Sequence, residues 1–148
     1  MSHLAESAWE PCPSTVPVRF PFSPHSRCWR SAPIRGYRIA EPESGTWDVK
    51  FWTIEELLDS RQLDEECLAL HHCVGTYAKR CALRYSSIWS LRRQGSRTVQ
   101  RIATIEVDLA TRRIVTALGR CNTRLTRESR EVMLVWAERE GFAVAGWV

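Results

Sequence analysis

Beyond residue 42 the chain contains no proline, although seven lie at or before that position. Proline fixes φ and removes a backbone donor, so the first 42 residues exclude long helix and central strand, while the rest is free to form both. Lysine is nearly absent, at positions 50 and 79 only, so almost all of the positive charge is arginine. No C-x2-C pair occurs among the six cysteines, which excludes the paired-thiolate zinc motifs. No apolar run approaches the ~18–20 residues that a membrane-spanning helix needs. The opening MSHLAESAWEPCP has neither a basic n-region nor a continuous apolar h-region. The expectation is therefore a cytoplasmic protein with reduced, mostly buried thiols and no membrane partner.

What is present is 148 residues, enough for one domain with its own core. Residues 1–35 read as a proline-rich arm, extended and carrying Trp9, Phe20, Phe22 and Trp29 as apolar surface for docking. Residues 36–148 read as a single domain. Within it GYRIA and TWDVKFW predict short strands, and TIEELLDS predicts a helix start with Thr53 as N-cap and Glu56 closing a capping box. Leu63, Cys67, Leu70 and Val74 recur at helical spacing, and TYAKRCAL adds a further turn or two. The period then shortens to two. SSIWSLR, RIATIEVDLA and RRIVTALG predict three strands in an antiparallel meander, with ATRR as one hairpin link. A last helix over about 126–140 presents Val132, Met133, Trp136 and Ala137, and Gly141 stops it. The sum is α+β: a small antiparallel β-meander packed against helices, with an extended proline-rich N-terminal arm.

Charge is unevenly distributed. Residues 71–127 carry twelve basic side chains against Glu106 and Asp108, whereas residues 55–66 carry six acids against Arg61. A concentrated positive field interleaved with aromatics suits nucleic acid, whose phosphates attract guanidinium and whose bases stack. The candidates for phosphate contact are Arg92, Arg93, Arg97, Arg112, Arg113, Arg120 and Arg124, with Tyr85 and Trp89 as stacking faces. A solvated face neutralised in part by the acidic helix is the alternative reading of the same residues. The stretch HHCVGTYAKRC, opening at His71, raises metal and thiol chemistry as well. Cys67 and His71 are four apart, yet a full zinc ligand set is missing, so no metal and no cofactor is expected. A thiol nucleophile at Cys73 would need His71 or His72 as base and a third residue to orient it.

Taken together, LHHCVGTYA, SSIWSLR, TIEV, GRCN and VWA resemble the PcfJ-like family of conjugative plasmids and phages, over about residues 63–140. His72, Cys73, Val74 and Tyr77 match its leading block. Ile88, Leu91 and Arg92 match its first strand, Thr104, Ile105 and Glu106 its second, and Gly119 with Asn122 its closing turn. Thr116 stands where the family has glutamine, and Arg84-Tyr85 where it has a small residue. The resemblance implies a nucleic-acid-associated accessory protein of a mobile genetic element. The alternatives are an enzyme using a pocket of His72, Cys73, Glu106 and Asn122, and an interaction module whose arm docks a protein partner.

Overall fold

The strands of the sheet stand side by side in the order in which the chain makes them. The computed structural model describes residues 27–41, 49–72 and 77–148. Among these, β1 (Tyr37–Ala40) and β2 (Phe51–Glu56) are followed by helices α1 (Ser60–Leu70) and α2 (Tyr77–Ala82). Then come β3 (Ser86–Gln94), β4 (Val99–Asp108) and β5 (Arg113–Gly119), a 3-10 turn at Arg120–Asn122, helix α3 (Arg127–Glu140) and β6 (Ala143–Val144). The sheet order is β1-β2-β3-β4-β5-β6. Every pairing is antiparallel except that of β6, which adds to β5 in parallel. This is the α+β class expected, with the meander of β3, β4 and β5 at its centre. Among the described residues no helix is long and apolar enough to cross a membrane.

β3 is buried at every position from Ser86 to Leu91. A meander with one wet face would alternate, so continuous burial means that both faces are covered. On one side Trp89, Leu91, Ala103, Ile105 and Ile114 pack with Met133, Trp136 and Ala137 of α3. The Trp89 and Trp136 rings sit 5.0 Å apart, and Phe142 meets Trp136 edge-on. On the other side Ile88 packs with Leu57, Leu63 of α1, and Cys81 and Ala82 of α2. Helices therefore lie on both faces rather than on one.

Two local expectations change. Thr53 caps no helix: TIEE continues β2, because Trp52 and Ile54 alternate into the core. Helix α1 starts after Asp59, whose Oδ1 accepts from the Gln62 N–H at 2.7 Å. It ends at His71 in the left-handed conformation (φ 50°), before Gly75. Helix α3 follows the sequence reading closely, from a Thr126 cap to Gly141 at φ 72°.

Residues 27–35 pack into the fold, with Ala32 and Ile34 in one core cluster and Trp29 in the other. Trp29 donates from both nitrogens, to the carbonyls of Leu58 and Leu57. Ala32 N–H donates to the Glu56 carboxylate, and the Trp136 indole donates to the Arg35 carbonyl. The remainder of the arm, and with it Trp9, Phe20 and Phe22, falls outside the described residues, as do Trp47 and Cys73. Cys28 departs from the reduced-thiol expectation and is disulfide-bonded.

Candidate functional site

The face of the sheet under α1 and α2 is polar where packing would favour apolar side chains. Ser86, Ser90, Thr104 and Glu106 are all buried there. Two β-bulges aim the side chains. Leu91 faces Ala103 but Arg92 faces Arg101, leaving Ile102 as the extra residue. A one-residue insertion reverses the alternation, so Arg101 turns onto the face of Thr104 while Ile102 packs toward the apolar core. The second bulge lies where Glu106 faces Thr116 and Val107 faces Ile114. It lets Ile114 and Ala117 both enter the core while Thr116 turns toward Glu106.

Glu66, projecting from α1 with no exposed surface, is the centre of this face. Its carboxylate accepts from Ser90 Oγ at 2.9 Å and Thr104 Oγ1 at 2.9 Å, and pairs with Arg101 Nη1 at 2.6 Å. Thr104 Oγ1 also lies 2.9 Å from His72 Nε2. Arg92 extends the chain of contacts, donating from Nε to Ser90 and from Nη1 to Glu55, both at 3.0 Å.

Beside this network is a cavity of about 50 Å³ whose walls include His72, Tyr77, Thr104, Glu106, Thr116 and Asn122. Glu106 accepts from Ser86 Oγ at 2.8 Å, and Arg80 stands 3.4 Å away. Burial first, then the Glu106 charge, pushes the Tyr77 phenol up. Burial pulls the His72 imidazole down, and the Glu66 charge opposes that less strongly. Asn122, at φ 59°, is exposed on the 3-10 turn, at the cavity wall. His72, Glu106 and Asn122 are thus brought together; Cys73 lies outside the described residues. Cys81, on the buried face of α2, is pushed by burial up to about 12, far from a thiolate at neutral pH. Among the described residues no three His, Cys, Asp or Glu side chains group to hold a metal.

Next to the cavity runs a larger groove, of about 470 Å³, between the end of α1, the start of β4, the 3-10 turn and the N-terminus of α3. Arg101, Arg120 and Arg124 line it, with Thr123 and Thr126. The seven arginines marked in the sequence divide. Arg120, Arg124, Arg97 and Arg113 are exposed, with no acidic partner among the described residues. Arg92 is paired with Glu55, and Arg93 donates twice to Glu41, at 2.8 and 2.9 Å. Arg112 donates to the Glu140 carbonyl and covers the Phe142 ring. Tyr85 is exposed, as stacking requires. Trp89 corrects the sequence reading: it is 1% exposed, donates to Ser87 Oγ and packs on Trp136, so it offers no face to a base.

The family of PcfJ-like proteins has a sequence profile that matches residues 52–134, more than half of the chain. The chain belongs to the PcfJ-like family. No curated protein and no solved structure matches it. The PcfJ-like segment runs from β2 into α3, and so contains the whole of the polar face, the cavity and the groove. Thr116, in this segment, places its hydroxyl 3.4 Å from Glu106. Sequence reasoning missed Glu66, Ser90, Arg101 and Thr104 as a unit. A signal existed for the first: Leu63, Glu66 and Leu70 share one buried stripe of α1, and a carboxylate on such a stripe calls for buried partners.

Proposed function

We propose that this PcfJ-like protein is a nucleic-acid-associated accessory protein of a mobile genetic element, holding a phosphate backbone in the groove beside α3. One observation carries the reading: the groove is lined by Arg101, Arg120 and Arg124, and the last two are exposed without an acidic partner among the described residues. Guanidinium groups bind phosphate through paired N–H donors, so they attract the backbone whatever its sequence. Arg97, in the loop before β4, extends the same end of the sheet. Arg113, with Arg112 before it, starts β5, whose other end Gly119 lines the groove, about 20 Å away at roughly 3.3 Å per residue.

The test is binding of labelled oligonucleotides across a salt series. A log–log slope of several units is expected for the native protein, and each phosphate contact supplies about 0.7–0.9 of it. Arg120→Ala/Arg124→Ala should lower the slope by one to two units, roughly, while Arg113→Ala should leave it unchanged. Binding that is flat with salt would sink the reading.

The convergence of His72, Glu106 and Asn122 on one cavity favours a second reading, an enzyme that uses His72 as base. Such an enzyme would shorten an end-labelled oligonucleotide on prolonged incubation, and His72→Leu would stop it. An intact oligonucleotide with the native protein would count against that reading.

A further inference from the structure

The groove that holds Arg120 and Arg124 is built of more than charge. Val99, Ile102 and Leu125 line it as well. Val99 is 61% exposed, and Ile102 and Leu125 are half-buried, packed against the core beneath. One exposed valine is ordinary on a protein surface. Three aliphatic side chains in a concave, arginine-rimmed groove are not, because an apolar floor with a polar rim is the form that ligand sites take.

The same groove contains an open strand edge. Val99, Gln100 and Arg101 pair with Gln94, Arg93 and Arg92 of β3, but the ladder with β5 begins only at Ala103, opposite Gly119. There the chain leaves the sheet for the 3-10 turn, and the Gly119 N–H donates to the Thr123 carbonyl at 2.8 Å. Among the described residues no strand lies against the outer side of β4 before Ala103. Such an edge presents unpaired backbone N–H and C=O groups. The Gln100 residue that lines the groove beside it adds a side-chain amide.

Guanidinium, aliphatic surface and in-plane hydrogen-bonding groups thus stand side by side. A nucleotide carries their complements as phosphate, base face and base edge. A duplex does not present all three, because its base faces are stacked on one another; an unstacked base in a single strand does. We propose that the groove receives an unpaired nucleotide, its phosphate at Arg120 and Arg124 and its base on Val99, Ile102 and Leu125 beside the open edge of β4, so that the protein prefers single-stranded nucleic acid to duplex. The proposal rests on the groove reading above and adds the state of the strand to it. The groove volume of about 470 Å³ falls within the roughly 300–1,000 Å³ of pockets that enclose small ligands. Charge alone would favour the opposite preference, since a duplex carries the denser array of phosphates.

The experiment compares three DNA ligands of equal length by fluorescence anisotropy at fixed salt: an unstructured single strand, that strand annealed to its complement, and a single strand of abasic residues. The native protein should bind the first roughly 5–10-fold more tightly than either of the others. That is the lower end of what one stacked base supplies, since no aromatic side chain among the described residues lines the groove. Val99→Ser should reduce the preference, and Val99→Tyr, which offers the base a ring, should raise it. Val99 lies outside both core clusters, and circular dichroism checks that each variant is folded. If either fails to fold, the native protein's ratios among the three ligands still decide. Salt-sensitive binding of all three alike, or tightest binding of the duplex, would overturn the proposal and leave the groove reading standing. Binding of none of them would overturn both.

Discussion

Glu66 is a charge with no exposed surface, held by one guanidinium and two hydroxyls. Removing one member of such a pair strands the other, at a cost of about 3–5 kcal/mol. Arg101→Ala should therefore lower the stability by that amount in urea titration, because it strands the fully buried Glu66, with Glu66→Ala losing less because the Arg101 it strands still touches water. His72 makes stability depend on pH. Its imidazole is held below the ordinary histidine range, chiefly by burial, so near and below pH ~6.5 the unfolded chain binds a proton that the native state resists. The histidine's contribution is complete above that pH and declines as the pH falls. The groups facing it are Glu66 and Thr104 at one nitrogen, with Tyr77, Glu106 and its Arg80 around the cavity. Burial holds the Tyr77 phenol above its ordinary range, so it stays protonated between pH 8 and 5.5. The urea midpoint of the native protein should drop across that interval, and the drop should be smaller in His72→Leu. At this scale the sequence revealed His72, Glu106 and Asn122 through family-like blocks. It marked Thr104 in the same way but hid that Glu66, Ser90 and Arg101 meet it, because serine is an ordinary residue for a strand until its neighbours are known.

At the scale of elements, what was legible followed from periodicity. The alternation of β4 and the caps of α3 depend on nearest neighbours, and both emerged where the sequence placed them. The bulges did not, since one inserted residue merely blurs an alternating pattern; yet they decide that Arg101 meets Glu66 and that Thr116 meets Glu106. TIEE shows the opposite failure: a sound capping signal lost to the burial of Trp52 and Ile54. The entry to β1 is tightly set. A Cβ on Gly36 would stand 2.7 Å from the Ile54 carbonyl oxygen, which is backbone and cannot swing aside. Gly36→Ala should push β1 off β2 and cost about 1–3 kcal/mol, as overpacking does. Thermal unfolding of the variant against native protein measures it.

For the whole molecule, the division of labour is between two faces of one sheet. The α3 side is a dry apolar core, and the α1–α2 side spends much of its burial on charged and hydroxyl groups. The overall +4 charge conceals this arrangement, because acids of the 55–66 segment (Glu55, Glu65 and Glu66) are engaged with Arg92 and Arg101. What remains unpaired at the groove is a smaller, more local set of cations than the twelve of the sequence. Composition could locate the positive segment but not subtract its internal partners.

The order of the strands also has a consequence in time. β3, β4 and β5 are joined by links of four residues each, at 95–98 and 109–112, so their ladders close short loops. β2 reaches β3 only across the helical excursion of residues 57–85, and longer loops close at a greater entropic cost. The central meander should therefore assemble first, with β1 and β2 docking onto it late. In stopped-flow kinetics Ile105→Val should slow folding, while Ile54→Val should chiefly hasten unfolding. Since Ser90, Arg101, Thr104 and Glu106 all lie on the early strands, half of the polar site would be laid out before α1 delivers Glu66 to it.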